Sequence, residues 1–147
     1  FKAGTWGKGV KAKRTIMDIL MQKGKYLVGF GGEDTSAGIT RRENEMNAVQ
    51  PNDILHMKDN GNVHYRGTVG SAFTEIDPTE FRSGGWETLS QLAWGTPPII
   101  ATGSRIFCCD IEWTKQPLSD DMKIRLNKLT TRGGGCTKQC GTIIKLA

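Results

Sequence analysis

The stretch DILHMKDNGNVHYRGTV, residues 53–69, decides the fold of this chain. Two runs with strand-like composition flank a short polar segment that contains Asn60-Gly61. This dipeptide between two such runs is typical of a β-hairpin, because a type I′ turn needs positive φ at both central residues. Alternate residues of the second run then share one face of a strand, namely Val63, Tyr65, Gly67 and Val69. The sequence therefore predicts a hairpin over 53–69 at the centre of a sheet.

Helices and further strands are predicted on both sides of the hairpin. Thr15-Ile-Met-Asp18 has the pattern of a capping box, and Gly24 would end the helix that begins there. The remaining predicted elements are a strand over 25–30, a helix that begins within 33–36 and ends before Pro51, a strand over 106–113, a helix over 120–129 capped by Ser119, and a strand over 142–146. On the helix over 120–129, the expected apolar side consists of Ile124, Leu126 and Leu129.

The order of these elements favours an α+β fold, in which a curved or barrel-like β-sheet of five or six strands carries flanking helices. A doubly wound sheet would need regular alternation of strands and helices, which this order lacks. The chain has 147 residues, the usual size of one domain. We therefore expect a single domain over residues 1–147.

Residues 70–104 interrupt the pattern, because Pro78, Gly84, Gly85, Gly95, Pro97 and Pro98 break it repeatedly. The segment is predicted to be irregular, and long irregular segments in small domains are usually functional or disordered. Trp86 and Trp94 argue against disorder. One alternative function is therefore a small enzyme with its site in the 70–104 loop. Its acid–base groups would be Glu75, Asp77, Glu80 and Glu87, although these acids show no spacing motif.

The charge is unevenly distributed along the chain. The formal net charge is +5, and basic residues predominate in the first fifty and the last forty-seven residues, whereas the middle is acidic. A basic face built from the two ends is typical of proteins that bind nucleic acid, although ordinary surface charge gives the same count. A viral or other structural assembly protein with basic termini is a further alternative. No apolar run approaches the ~20 residues that span a bilayer, and no secretory signal is visible. We expect an intracellular protein, cytoplasmic or nuclear, with no membrane partner.

The cysteines and histidines do not form a recognisable site. Cys108 and Cys109 are adjacent in a predicted strand, so that their side chains point to opposite faces. Cys136 and Cys140 are spaced by three residues rather than the two of zinc knuckles, with no histidine nearby. All four cysteines are therefore predicted to be reduced and metal-free, and no cofactor is implied. His56 and His64 lie on neighbouring strands of the hairpin, where a structural role is favoured over a catalytic or metal-binding one.

Three groups of residues occur in an order that resembles a known superfamily. A short helix leads into an apolar strand that ends in glycines, Val28-Gly-Phe30 and beyond. Gln50-Pro-Asn-Asp-Ile-Leu-His56 then opens the hairpin, which returns through Tyr65-Arg-Gly-Thr-Val69. Asp110-Ile-Glu-Trp113 is followed by Lys115-Gln-Pro-Leu-Ser119. The chain resembles the PUA-like superfamily over about residues 14–146. Within that superfamily it is similar to EVE and YTH-related domains, including the modified-base-binding N-terminal domains of McrB-type restriction proteins. Asn52-Asp53 departs from the Gly-Asp that these domains more often have.

The resemblance implies a non-catalytic nucleic-acid-binding domain, with DNA or RNA as its partner. Such domains recognise a flipped base, in several cases a modified one, inside an aromatic cage. Carried over by position, the cage residues are Trp6, Trp86 and Trp94. Stacking on such faces contributes roughly 1–3 kcal/mol per base. The basic residues expected to hold the phosphate backbone around the mouth are Lys11, Lys13, Arg14, Arg41 and Arg42.

Overall fold

The computed structural model describes residues 2–3, 9–31, 36–58, 63–83, 85–94, 104–127 and 143–144. Its strands are β1 (Lys2–Ala3), β2 (Lys25–Gly31), β3 (Ile54–Lys58), β4 (Val63–Val69), β5 (Thr74–Ile76), β6 (Ser104–Pro117) and β7 (Ile143–Ile144). Its helices are α1 (Gly9–Lys23), α2 (Ser36–Asn47), α3 (Pro78–Ser83), α4 (Glu87–Trp94) and α5 (Asp120–Asn127). No helix within these residues is long and apolar enough to cross a membrane.

The described strands form one seven-stranded sheet in the order β2-β6-β4-β3-β1-β7, with β5 paired to β6 beside this path. All pairs are antiparallel except β1 with β3. The long strand β6 pairs through its first half with β2 and through its second half with β4. This change of partner accompanies a strongly curled half-barrel. The α+β class and the curved sheet are therefore confirmed. The sheet has more strands than expected because it includes the short strands β1, β5 and β7.

The predicted hairpin is formed by β3 and β4, whose register runs from Ile54 opposite Thr68 to Lys58 opposite His64. The Asn60-Gly61 turn itself lies outside the described residues. Gly67 is required by close packing on the inner face of β4. A Cβ atom at this position would lie 2.3 Å from Cδ1 of Ile111 and 2.7 Å from Cε3 of Trp113. The Ile111 and Trp113 side chains of β6 therefore lie so close to the backbone of β4 at Gly67 that no Cβ atom fits there.

Helix α1 begins at Gly9, six residues before the predicted capping box. Within it, the Thr15 hydroxyl donates to the carbonyl of Lys11 at 3.0 Å, an interaction of helix interiors. The prediction of a start at Thr15 was wrong because the preceding lysines, alanine and arginine are good helix formers that extend the helix backwards. Ile16, Met17 and Leu20 form the buried face of α1 and lie in the core.

The prediction of an irregular 70–104 segment is wrong for its described part, which contains β5, α3 and α4. Pro78 is the first residue of α3, where its missing N–H costs nothing. The Asp77 carboxylate accepts a hydrogen bond from the Thr79 backbone N–H at 2.7 Å and caps the helix. This proline therefore starts a helix. Residues 95–103 lie outside the described part.

Helix α5 is capped as predicted, because the Ser119 hydroxyl accepts the Met122 backbone N–H at 3.2 Å. Its predicted apolar side is wrong. Leu126 is fully buried, but Ile124 is 55% exposed. Residues two apart in a helix point about 200° from each other, so both cannot face the core. Leu129, the third residue of that prediction, lies outside the described residues.

Candidate nucleic-acid interface

The basic residues predicted to contact phosphates lie on two helices that both pack against β2. Lys11 and Arg14 are exposed on α1. Their spacing of three residues places them on one side of the helix. The side chain of Lys13 lies outside the described part of the structure. This side of α1 can therefore present positive charge to solvent.

Arg41 and Arg42 have different environments, although they are adjacent in α2. Arg41 is exposed and lines an open concavity of about 610 Å³ together with Ser36, Thr40, Asn44 and Glu45. Arg42 is only 6% exposed, and its Nη1 donates to the carbonyl oxygen of Gly29 at 3.4 Å. Gly29 belongs to β2, which stands at one end of the strand order. Arg42 therefore covers the sheet edge, whereas the Arg41 side chain is exposed in the concavity.

Of the three tryptophans predicted to form a cage, the structure describes one side chain. Trp86 is 7% exposed, and its ring stacks on Phe81 at a centroid separation of 6.4 Å. The Nζ atom of Lys23 lies 4.9 Å from the centre of the same ring. Trp6 and the side chain of Trp94 lie outside the described residues. The cage stays a prediction, and for Trp86 the contacts are those of a core side chain.

Three of the four acids predicted as acid–base groups in the 70–104 segment, Glu75, Asp77 and Glu87, have structural partners. Glu75 pairs with Arg105 through two hydrogen bonds, of 2.9 Å and 3.1 Å. These bonds hold the pKa of Glu75 below its usual value. Asp77 caps α3, as described above, and a Glu87 carboxylate oxygen accepts from Gln91 at 3.4 Å. The ion pair therefore holds Glu75 in its charged form, a state unsuited to a general acid at neutral pH.

The two described cysteines, Cys108 and Cys109, are buried free thiols in the middle of β6. Both are buried because both faces of the strand are covered at this point. Burial raises the pKa of Cys108 to about 11 and that of Cys109 to about 12. Both thiols are therefore protonated and unreactive at neutral pH. Cys136 and Cys140 lie outside the described residues.

The hairpin brings His56 and His64 together on the face of the sheet opposite Leu55 and Tyr65. Nδ1 of His56 lies 3.0 Å from Nε2 of His64, and the two rings stack at a centroid separation of 5.2 Å. On the other side of His64, Nδ1 lies 3.0 Å from the amide nitrogen of Gln116 in β6. His64 is 3% exposed, whereas His56 is half-buried. The three side chains form a hydrogen-bonded chain across three strands, and we call it the histidine relay.

Both imidazoles are neutral at physiological pH. Burial, with a contribution from His64 and smaller ones from Arg66 and Arg125, lowers the pKa of His56 to about 4. Burial and Arg66 also lower the pKa of His64. A neutral imidazole carries one donor nitrogen and one acceptor nitrogen. The relay therefore offers hydrogen bonds without adding positive charge.

A second, smaller concavity of about 340 Å³ adjoins the relay at the end of β4 and β6. It is lined by Val63, Lys115, Gln116 and Pro117. The register places Val63, Lys115 and Pro117 on the Tyr65 face of the sheet, whereas the Gln116 side chain contacts His64 on the other face. Lys115 extends over the Tyr65 ring, with Nζ 5.9 Å from the ring centre. Sequence analysis noted the two histidines but missed Gln116, because β6 is remote in sequence and only the folded sheet brings it alongside.

Within the described residues, no three histidine, cysteine, aspartate or glutamate side chains are grouped as they would be to hold a metal ion. Known protein families, curated proteins and solved structures give no match to this chain.

Proposed function

We propose that this chain is a non-catalytic nucleic-acid-binding domain of PUA-like type, whose partner is DNA or RNA. The observation that carries the proposal is the position of Arg41 in an open concavity lined by Ser36, Thr40 and Asn44. The guanidinium, the Ser36 hydroxyl and the Asn44 amide are groups that proteins use on phosphate oxygens, whereas the Thr40 hydroxyl donates its proton to the Ser36 carbonyl at 3.1 Å. One carboxylate, Glu45, also lines the concavity and would moderate the attraction.

The states of the described ionisable groups also favour binding over catalysis. A general acid or base works best with a pKa near the operating pH. The pKa values of Glu75, His56, Cys108 and Cys109 are shifted away from that range. The alternative of an enzyme with its site in 70–104 is thereby less supported, since its acids hold an ion pair and a helix cap. No described feature favours the assembly-protein alternative.

Asn52 supports the PUA-like part of the proposal. Its φ is 76°, in the left-handed region that favours glycine, and asparagine is the residue that best tolerates it in glycine's place. The backbone N–H of Asn52 donates to Val69 at 2.8 Å, and the Asp53 carboxylate accepts the Gln50 N–H at 2.8 Å. Asn52-Asp53 can therefore make the turn that Gly-Asp makes in the resembled domains. The finer proposal, a flipped modified base in an aromatic cage, depends on the resemblance alone.

The test is fluorescence anisotropy with labelled single-stranded and duplex oligonucleotides of DNA and RNA, at low and at physiological salt. Binding should weaken with salt, because each neutralised phosphate releases counterions. Arg41→Ala should lower the slope of log affinity against log salt by about 1, whereas Arg41→Lys should keep it. Lys123→Ala, an exposed charge on α5, is the matched control and should leave binding unchanged. If the wild-type protein binds none of these oligonucleotides at low salt, the proposal is wrong.

A further inference from the structure

One face of the sheet formed by β3, β4 and β6 is polar, and we call it the histidine face. It is the face opposite Leu55 and Tyr65. Among its side chains only that of His64 is buried, and the others are half-buried or exposed. Solvent therefore reaches most of this face. In rows that cross the strands, the register places on it Ile54, Thr68 and Glu112, then His56, Arg66 and Thr114, then Lys58, His64 and Gln116.

Arg66 is at the centre of the histidine face. It lies directly opposite His56 on β3 and Thr114 on β6. Directly opposed residues of antiparallel strands have Cβ atoms roughly 4.5–5.5 Å apart, so the guanidinium can reach a group that is bound at His56. This guanidinium is exposed, and within the described part of the chain it has no ion pair and no hydrogen bond. Glu112 is its diagonal neighbour but does not pair with it.

One ring nitrogen of His56 has no partner among the described residues. Nδ1 lies 3.0 Å from Nε2 of His64, and the remaining nitrogen, Nε2, makes no hydrogen bond with them. A neutral imidazole carries one proton. When His64 donates through its Nε2–H, the proton of His56 is on Nε2, which is then a donor on a half-buried ring. A donor next to an unpaired guanidinium suits an anion, because both groups can donate to its oxygens.

The electrostatic surroundings of His56 also favour an anion. After burial and the contribution of His64, the groups that lower the pKa of His56 include Arg66 and Arg125. Arg125 is an exposed residue of α5, and it has no ion pair within the described residues. Two guanidiniums without acidic partners are therefore within electrostatic reach of one imidazole. An anion bound there would interact favourably with both charges.

We propose that Arg66 and His56 bind one phosphate group on the histidine face, with Arg125 as a further cation. The planar guanidinium of Arg66 would donate to two phosphate oxygens, and Nε2–H of His56 would donate to one of them. The site shares no residue with the concavity at Arg41. It deepens the proposed function and depends on it for the source of the phosphate, since a free phosphorylated molecule has the same chemistry.

The first test adds inorganic phosphate to the protein at neutral pH and follows the ring ¹⁵N signals of both histidines by NMR. The Nε2 signal of His56 should shift in a saturable way and should show a protonated nitrogen at saturation. Sodium chloride at the same ionic strength should not reproduce this change. No response of His56 to phosphate, or an equal response to chloride, would overturn the proposal.

Variants separate a phosphate contact from a general effect of charge. Arg66→Ala should weaken the binding of inorganic phosphate roughly tenfold, because it removes hydrogen bonds to a charged group. Lys115→Ala is the matched control and should leave this affinity unchanged. Lys115 is exposed on β6 next to Thr114, but the register places it on the opposite face. Thermal melts check that both variants are folded. Equal affinities of the wild type and of a folded Arg66→Ala protein would contradict the assignment.

Oligonucleotide binding distinguishes this proposal from the proposed function. Arg66→Ala should lower the slope of log affinity against log salt by about 1, and Lys115→Ala should not. If oligonucleotides bind but Arg66→Ala changes neither affinity nor slope, the phosphate site is wrong and nucleic-acid binding stands. If inorganic phosphate shifts His56 but no oligonucleotide binds, the site stands for free phosphorylated molecules and the proposed function is wrong. If neither ligand binds, both proposals are wrong.

Discussion

Two interpretations of Trp86 make opposite predictions for its truncation. A residue of a ligand cage should lose binding, whereas a core residue should lose stability. Its ring is 7% exposed, lies against Phe81 and is covered by the Lys23 ammonium. Trp86→Ala would remove a buried ring from this packing and leave a cavity. Truncations of buried aromatic rings cost ~3–5 kcal/mol. At ~2–4 °C per kcal/mol for a domain near this size, the melting temperature should fall by roughly 6–20 °C.

The assay pairs thermal melts with oligonucleotide binding measured well below the melting temperature. Trp86→Phe keeps an aromatic ring for Phe81 and should lose much less stability than Trp86→Ala, while both should bind normally when folded. A Trp86→Ala protein that melts within two or three degrees of the wild type (under about 1 kcal/mol) but no longer binds would refute this reasoning. Such a result would support Trp86 as a residue of the aromatic cage that the resemblance implies.

Four further predictions concern the packing, the backbone and the charges. Gly67→Ala should destabilise the protein by ~1–3 kcal/mol in urea unfolding, because its Cβ would overlap Ile111 in the closely packed sheet. Asn52→Ala should cost about 1 kcal/mol and Asn52→Gly nothing measurable, since φ is positive there; equal losses would contradict this. Arg42→Ala should lower the melting temperature, whereas Arg41→Ala should not, because the guanidinium of Arg42 alone is buried and bonded to the sheet edge. His56 has a pKa of about 4 in the folded protein, against 6.5 for an ordinary histidine. The unfolded chain therefore binds more protons between these pH values, and the free energy of unfolding should fall as the pH drops from about 6.5 to about 4. His56→Gln should flatten this part of the pH profile in urea unfolding.

The parts of the fold that sequence predicted are those with local causes. The hairpin follows from Asn60-Gly61 and from alternation within each strand, and Ser119 caps α5 through a neighbour three residues away. Helix α3 also has a local signal, because Asp77-Pro78 combines a capping carboxylate with a proline at the first helical position. We predicted an irregular segment there because proline ends helices as well as beginning them, and its position relative to the cap decides between the two.

The candidate site could be predicted only in part, because its decisive contacts join remote strands. The register of the hairpin makes His56 and His64 diagonal neighbours on adjacent strands. This proximity can be predicted from the position of the turn in the sequence. Gln116 joins them only because β6 curls from β2 onto β4. The sequence likewise does not indicate which of the adjacent residues Arg41 and Arg42 is buried. The edge position of β2 buries one of them and leaves the other exposed.

The kind of contact that Arg41 makes can be separated from base recognition. Arg41 carries a charge that no base sequence alters, so its contribution should depend on salt and be the same for every oligonucleotide. Phosphate contacts fix position and base contacts fix sequence. At one salt concentration, Arg41→Ala should therefore weaken the binding of oligonucleotides of different base sequence by the same factor, measured by fluorescence anisotropy. A loss that differs between base sequences would mean that Arg41 contacts bases and not phosphates.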